Sequence, residues 1–215
     1  MLNCSLHRSE LDERVAGVRE LLAANRGTSV ARQTRGLSLV LLYGAYENLL
    51  TSLSRSILET AVKLRVGNKR LRPGLQLVAA YPKLRSVSDS KSSALWKRGA
   101  DVIELLSSGR ECTIEPNVFP NDGSNFKKPQ VQTFCNVYGL PNPAPILQEV
   151  WIQLEVVVTE RNEIAHGQLT PEEVGRRYSA DDMDKLVDIW HQRWTDFIDW
   201  VESAASYRDF YRLPR

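Results

Sequence analysis

Arg161, Asn162 and His166 stand near the end of an apolar stretch, in the segment VVVTERNEIAHGQLTPEE of residues 156–173. In a helix, Asn162 and His166 would be neighbours four residues apart, and Arg161 would lie about 140° around the axis from His166. An imidazole gives or takes a proton near neutral pH, and a guanidinium binds phosphate or carboxylate oxygens through a fork of N–H donors. The combination is suited to proton transfer beside an anionic group.

Arg161 follows Val157 and Val158 by four and three residues, so it extends their apolar stripe on the helix. This spacing predicts that Arg161 lies at the edge of a core or an interface. A guanidinium in such a place is costly unless an anion, a carboxylate or a partner chain neutralises it. Glu47, in LLYGAYENLL, is a lone acid in the most apolar part of the long second predicted helix and needs a partner for the same reason. We therefore expect Glu47 to pack near Arg161, Asn162 or His166.

Helices must position these residues, because apolar side chains recur at steps of three and four and no strand-like alternation persists. The first predicted helix follows Ser9 and ends near Gly27, which leaves His7 in a loose N-terminal segment. The second extends without proline to Gly67. Its apolar residues cover nearly every face, as expected for a central buried helix.

The middle of the chain is richer in proline. Pro73, Gly74 and Pro82 are expected to divide this part of the chain into short pieces, and a further helix is predicted from about Ser93. Residues 112–145 contain six prolines and predict a long, loop-rich insertion with one short helix at about residues 130–138.

The ends of the last helices are marked by local chemistry. Gly167 is the expected C-terminal stop of the motif helix. Thr170 and Glu173 form a predicted capping box at the start of the next helix, and Ser179 caps the final one. All predicted elements are helical, so the predicted fold class is all-α.

The whole chain of 215 residues is 42% hydrophobic and 25% charged, which predicts one globular domain over residues 1–215 with a core at about residues 10–205. Its 28 basic and 26 acidic residues give a net charge of +2, so any contact with nucleic acid must be local. Three widely spaced cysteines argue against a disulfide framework or a structural zinc. The chain lacks a secretory layout and a membrane-spanning run, so we expect a cytoplasmic protein.

The string RNEIAHG resembles the Arg-x4-His signature of HEPN domains, helical ribonuclease and accessory domains common in prokaryotic toxin and antiviral systems. The resemblance includes the acid-bearing helix YGAYENLL, the middle segment NVFPNDGSNFKKPQVQTFCNVYGL and the capped closing helix, and it spans roughly residues 10–205. These features look like the HEPN groups typified by MAE_28990/MAE_18760 and RiboL-PSP proteins. The resemblance implies an HEPN-type helical bundle with a long middle insertion.

The activity implied by the resemblance is that of a metal-independent endoribonuclease without a cofactor, in which the ribose 2′-hydroxyl attacks the adjacent phosphorus. Base and acid must act on opposite sides of that phosphorus, and each chain has one motif histidine. HEPN domains dimerise so that two motifs face one cleft. The implied catalytic residues are Arg161 and His166 of each chain, with Asn162 holding the imidazole or a phosphate oxygen and Glu47 orienting Arg161 or His166.

The implied partners are an RNA substrate, a second copy of the chain and an antitoxin or defence-system partner protein, but no membrane. Four basic residues could form a phosphate-binding rim, although scattered surface charge is the default. They are Lys127, Lys128, Arg176 and Arg177. Gln168 stands where some HEPN toxins carry a tyrosine that a partner nucleotidyltransferase modifies, so the sequence does not support an antitoxin of that kind.

Two other functions are compatible with the same residues. One is a catalytically inactive HEPN module that binds RNA or a partner protein, and the other is an accessory subunit of a nucleotidyltransferase or ATPase system. Arg161 and His166 could also merely cap a helix end, where cations meet the helix dipole. The presence of both residues favours the ribonuclease.

Overall fold

The structure of the chain is a computed structural model that describes residues 1–118 and 126–214. Within these ranges it consists of helices and connecting loops without strands, as the all-α prediction requires. The α-helices are α1 (Ser5–Ala24), α2 (Ala31–Lys63), α3 (Pro73–Ser88), α4 (Ser92–Ser107), α5 (Lys128–Tyr138), α6 (Ala144–Ala165), α7 (Pro171–Gly175) and α8 (Ala180–Ala205). Two 3-10 turns lie at Asn68–Arg70 and Arg208–Phe210. None of the helices described is long and apolar enough to cross a membrane.

Helix α2 lies at the centre of the bundle, in contact with α1, α6, α7 and α8. Its Tyr46 is fully buried and packs against two tryptophans of α8, with ring centroids 5.9 Å from Trp190 and 4.5 Å from Trp194. Closely packed aromatic rings of this size contribute a large share of core stability. The expectation of a long buried helix in this part of the sequence is confirmed.

Helix α1 begins at Ser5, so the prediction that His7 lies in a loose N-terminal segment is wrong. The His7 side chain is buried against α2, where its ring nitrogens share hydrogen bonds with Ser56 Oγ at 2.9 Å and Ser52 Oγ at 3.2 Å. These two hydroxyls satisfy the imidazole, which makes its burial possible. Burial lowers the pKa of His7 below its usual value of 6.5.

Helix α3 is continuous through Pro82, so the prediction of short pieces is wrong here. Proline in a helix interior removes one backbone hydrogen bond and costs about 3 kcal/mol. Helix α3 packs against both α4 and α5. This tertiary packing offsets the cost of a proline in the helix interior. Pro73, in contrast, occupies the start of the helix, where proline is well tolerated.

The predicted insertion at residues 112–145 contains α5, which confirms the short helix expected there. Residues 119–125 of the insertion lie outside the part that the structure describes. Phe134 of α5 is fully buried and lies 6.0 Å from the ring of Phe197 in α8. The second half of the insertion therefore contributes to the core.

The short helix α7 meets α2 backbone to backbone. A Cβ atom at Gly36 would lie 2.0 Å from the carbonyl oxygen of Pro171, and one at Gly175 would lie 1.8 Å from the carbonyl oxygen of Arg32. Any side chain at either glycine would collide with main-chain atoms. These two close approaches fix α7, and with it the end of α6, against α2.

The predicted caps of the last helices are confirmed. Gly167 follows α6 with a φ of +67°, a left-handed conformation that favours glycine. Thr170 Oγ1 accepts a hydrogen bond from the Glu173 N–H at 3.2 Å, and the Glu173 carboxylate accepts one from the Thr170 N–H at 2.8 Å. Ser179 and Asp182 form the same reciprocal pair at the start of α8.

Candidate functional site

The last turn of α6 carries the three motif residues. His166 directly follows the helix, and its backbone N–H donates to the Asn162 carbonyl at 2.9 Å. Arg161 and Asn162 are half-buried, whereas His166 is exposed. Gly167 then turns the chain toward α7, which is fixed on α2. The motif therefore sits where the end of α6 meets the middle of the bundle.

Arg161 is held by an aromatic ring of α2. Its guanidinium carbon lies 4.6 Å from the centroid of the Tyr43 ring, and Tyr43 is only 2% exposed. A cation over an aromatic face gains about 1 to 2 kcal/mol when it is partly desolvated. Nη1 of Arg161 also donates to Asn162 Oδ1 at 2.9 Å. The guanidinium is thus fixed through its face and one N–H group.

Most of the donors of Arg161 are still available. A guanidinium has five N–H groups, and among the described residues only the bond to Asn162 uses one of them. No carboxylate in that part of the chain forms an ion pair with Arg161, unlike Arg177 nearby, which pairs with two glutamates. An arginine held in place with free donors is suited to bind an anionic group from another molecule.

Glu47 joins this cluster through Tyr43 and not through Arg161. The Tyr43 hydroxyl donates to Glu47 Oε1 at 3.4 Å, a long hydrogen bond, and Glu47 is half-buried. Burial, and then the negative charge of Glu47, raise the pKa of Tyr43, while the charge of Arg161 opposes this shift. The phenol therefore stays protonated and links the acid to the ring on which Arg161 rests.

The His166 imidazole makes no hydrogen bond with the described residues. The family resemblance implies that Asn162 holds the imidazole or a phosphate oxygen, and in the structure its side-chain oxygen accepts a hydrogen bond from Arg161. In one chain the motif therefore combines an anchored guanidinium with a solvent-accessible imidazole at the same helix end. Both groups are available to a ligand or to a second chain.

A second polar cluster, which the sequence pattern did not identify, lies next to the motif at the end of α6. Glu160 is 5% exposed and accepts hydrogen bonds from the Tyr178 hydroxyl and from Arg177 Nη1, the latter at 3.1 Å. Burial and the bond to Glu160 raise the pKa of Tyr178. Glu160 follows buried Val157 by three residues, and this spacing was the signal that its carboxylate would face the core.

The four residues considered for a phosphate-binding rim form two separate pairs. Arg176 and Arg177 follow α7 and are engaged with glutamates of the same chain, at 2.7 and 3.1 Å. Lys127 and Lys128 begin α5, where Lys128 Nζ lies 5.6 Å from the ring centroid of Trp151. Trp151 precedes Arg161 on α6 by ten residues, or about 15 Å. The two pairs therefore lie at different heights along α6.

The part of the chain that the structure describes contains neither a reactive cysteine site nor a metal-binding site. The three cysteines are buried and free, and burial raises the pKa of both Cys4 and Cys135 to about 12, so these thiols stay protonated. No group of three or more His, Cys, Asp or Glu side chains among the described residues is arranged to hold a metal ion.

The comparison with known families covers nearly the whole chain. The sequence model of the family described as MAE_28990-like HEPN matches residues 7–210, which include the Tyr43 and Glu47 positions of α2 and the end of α6. No curated protein and no solved structure matches the chain. Since the match extends over far more than half of the sequence, the chain belongs to the MAE_28990-like HEPN family.

Proposed function

We propose that this protein is a metal-independent HEPN endoribonuclease that acts as a homodimer, as a toxin or an effector of antiviral defence. One observation carries the proposal. Arg161 is held against Tyr43 and uses only one N–H donor with the residues that the structure describes, at the same helix end as the exposed imidazole of His166. A fixed cation next to an accessible acid–base group is what cleavage of a phosphodiester by an internal hydroxyl requires.

In the proposed reaction, the 2′-hydroxyl of a ribose attacks the adjacent phosphorus. His166 of one chain takes the hydroxyl proton, and the same residue of a second copy gives a proton to the departing 5′-oxygen. The new P–O bond and the broken one leave a 2′,3′-cyclic phosphate and a free 5′-hydroxyl. Arg161 donates to the phosphate oxygens, on which negative charge builds up in the transition state.

A dimer is proposed because each chain has one imidazole at the motif. The attacking and leaving oxygens lie on opposite sides of the phosphorus, so a single histidine does not reach both. The exposure of His166 at the end of α6 supports this arrangement, since the side chain is free to face a second copy. Two copies would also place two Arg161 guanidinium groups around one phosphate.

Tyr43 and Glu47 act as positioning residues in this proposal. The Tyr43 ring sets the plane of the Arg161 guanidinium, and the hydrogen bond to Glu47 holds the phenol in place. Asn162 assists by accepting one N–H of Arg161, which directs the remaining donors outward.

A second function, a catalytically inactive HEPN module that binds RNA or a partner protein, is favoured by a different observation. Asn162 binds Arg161 and leaves the imidazole of His166 without an orienting group in the described residues. In an inactive module the contact between Arg161 and Tyr43 would serve the fold alone, and the exposed surface at the end of α6 would be the binding surface.

The test is cleavage of total RNA in EDTA by the wild type, His166→Ala and Arg161→Ala, with analysis of the product ends. His191→Ala is the matched control, because His191 is bonded to Asp12 on the outside of α8, away from the motif. We expect cyclic phosphate ends from the wild type and from the control, and loss of cleavage in both motif variants. Wild-type activity in folded motif variants would refute the assignment, and an inactive wild type would favour the binding module.

A further inference from the structure

A stretch of the sequence outside the motif is strongly basic. Residues 60–88 contain seven lysines and arginines and no acidic residue, although the chain as a whole carries a net charge of only +2. Five of the seven lie in residues 63–72, between the end of α2 and the start of α3. The loop that connects α2 to α3 is therefore strongly positive.

The fold adds two further basic segments to this loop. The Asn68 N–H donates to the Arg110 carbonyl at 3.0 Å, and the Leu213 N–H donates to the Arg70 carbonyl at 2.7 Å. We call the surface formed by residues 63–72, 108–112 and 208–213 the basic loop patch. It contains eight basic and two acidic residues, a net charge of +6.

The charges of the basic loop patch are not neutralised within the described part of the chain. None of its eight basic side chains forms an ion pair there, whereas Arg8, Arg19 and Arg193 elsewhere are each paired with carboxylates. Two patch arginines donate only to backbone carbonyl oxygens, Arg72 at 2.8 Å and Arg70 at 3.3 Å. Such a concentration of unpaired positive charge attracts anions and is stabilised when they bind.

The loops of the patch are held in a fixed arrangement. A Cβ atom at Gly67 would lie 2.5 Å from the carbonyl oxygen of Gly109, so the two loops meet backbone to backbone. The Lys69 side chain lies over Gly109. Because the backbones are held this closely, ordering the loops adds little to the entropic cost of binding.

We propose that the basic loop patch binds the phosphate backbone of RNA and anchors the substrate outside the motif site. The patch starts at the end of α2, and Lys63 lies twenty residues beyond Tyr43 on that helix, or about 30 Å away along its axis. The anchor rests on the proposed ribonuclease function, because it gives the same substrate a second point of contact.

The composition of the patch favours nucleic acid over a membrane or an acidic peptide. Six of its eight basic residues are arginines, whose planar forks match two oxygens of one phosphate. Tyr207, which is 70% exposed, directly precedes the segment 208–213 and can stack on an unpaired base. Binding to a membrane surface would require large exposed apolar side chains. Within the three segments of the patch, Leu213 is the only such side chain, at 36% exposure.

The experiment measures binding of a fluorescent single-stranded RNA with 2′-O-methyl riboses, which cannot be cleaved by the proposed reaction. The patch variant combines Arg65→Gln, Lys69→Gln and Arg110→Gln, three side chains that make no hydrogen bond in the described residues, so folding should be preserved. The control variant, Arg14→Gln, Lys97→Gln and Lys185→Gln, removes three exposed charges elsewhere. Each protein is titrated at several salt concentrations, and vesicles of phosphatidylserine are tested in parallel.

We expect the patch variant to bind the RNA at least about tenfold more weakly. The magnitude of the slope of log K against log salt concentration should also decrease by about 2. The control should change neither quantity substantially. Equal losses in the two variants would mean nonspecific attraction by net charge and would overturn the proposal. So would unchanged RNA binding, or a loss confined to the vesicles.

A second measurement needs no variant. Photocrosslinking of the same RNA to the wild type, followed by peptide mapping, should label residues 63–72, 108–112 or 208–213, and labelling confined to the end of α6 would overturn the anchor. Both measurements use RNA that cannot be cut. A failure of the anchor is therefore distinguishable from a failure of the ribonuclease, which is decided by cleavage in the Arg161→Ala and His166→Ala variants.

Discussion

The guanidinium of Arg161, at the end of α6, rests 4.6 Å from the centre of the Tyr43 ring in α2. The contact joins two helices that are far apart in the sequence, and it gives the motif arginine a definite orientation without neutralising its charge. A carboxylate in the same position would hold the arginine as firmly but would compete with an incoming phosphate. An aromatic support therefore suits an arginine that has to bind an anion.

Two substitutions of Tyr43 distinguish the role of its ring, which supports Arg161, from the role of its hydroxyl. Tyr43→Leu removes the ring and should lower RNA cleavage by about tenfold, the equivalent of a lost cation–π contact. Tyr43→Phe keeps the ring and loses the hydroxyl's long bond to Glu47 and its bond with the Phe126 backbone, so its activity should stay within about threefold of the wild type. The measurement is kcat and KM on a defined RNA, with the main effect on kcat.

Tyr46→Leu is the matched control for this pair. Tyr46 is as deeply buried on the same helix and meets the Tyr43 ring edge to face, with centroids 6.2 Å apart. Its ring packs against Trp190 and Trp194, whereas the Arg161 guanidinium lies over Tyr43. Tyr46→Leu should destabilise the fold at least as much as Tyr43→Leu and leave the activity of the folded protein intact. Equal activity losses in both leucine variants would show that general core damage, and not the loss of the Arg161 support, lowers cleavage.

Two glycines of α2 should respond in opposite ways to the same substitution. Gly36→Ala places a Cβ atom against the Pro171 backbone and should destabilise the protein by about 1 to 3 kcal/mol through overpacking, with loss of the α6–α7 position. Gly44→Ala has open space around its Cβ and should stabilise the helix by about 0.5 to 1 kcal/mol. Urea denaturation midpoints decide both. Two variants that shift in the same direction would contradict the close contact of α7 with α2.

Sequence reasoning succeeded where the signal is local. The stop at Gly167 and the capping box of Thr170 and Glu173 depend on neighbouring residues only, and the structure has both. The sequence indicates that the Glu47 carboxylate needs a polar or charged partner. It does not indicate that the Tyr43 phenol lies between Glu47 and Arg161. That contact depends on how α6 crosses α2, which no local pattern encodes.

The errors have the same physical origin. The local backbone preference of Pro82 predicts the end of a helix. Helix α3 nevertheless continues through Pro82, because its packing against α4 and α5 outweighs this local preference. His7 looks like part of a loose end because its partners, Ser52 and Ser56, are more than forty residues away. In both cases long-range packing determines the structure, and a single sequence does not specify it.

Protonation of His7 should destabilise the protein in mild acid. Because burial lowers its folded-state pKa below 6.5, the unfolded chain takes up a proton first as the pH falls. The contribution of neutral His7 is complete above about pH 6.5 and declines as the pH drops from that value toward the lower folded-state pKa. His7→Gln lacks this titration. The loss of stability between pH 7.5 and 5.5, measured by urea denaturation, should be smaller in the variant, and identical losses would contradict the burial of His7.

The buried carboxylate of Glu160 provides a test of how the end of α6 is held. Glu160→Gln replaces the charged acceptor of the bonds from Tyr178 and Arg177 with a neutral amide in a buried position, so we expect a loss of about 1 to 3 kcal/mol. Glu163→Gln is the control, because Glu163 contacts the same Arg177 but is less buried, and its loss should stay below about 1 kcal/mol. Unfolding free energies of the two variants give the comparison. If the two losses were equal, Glu160 would have no special part in supporting the motif, and the position of Arg161 would depend on the Tyr43 side alone.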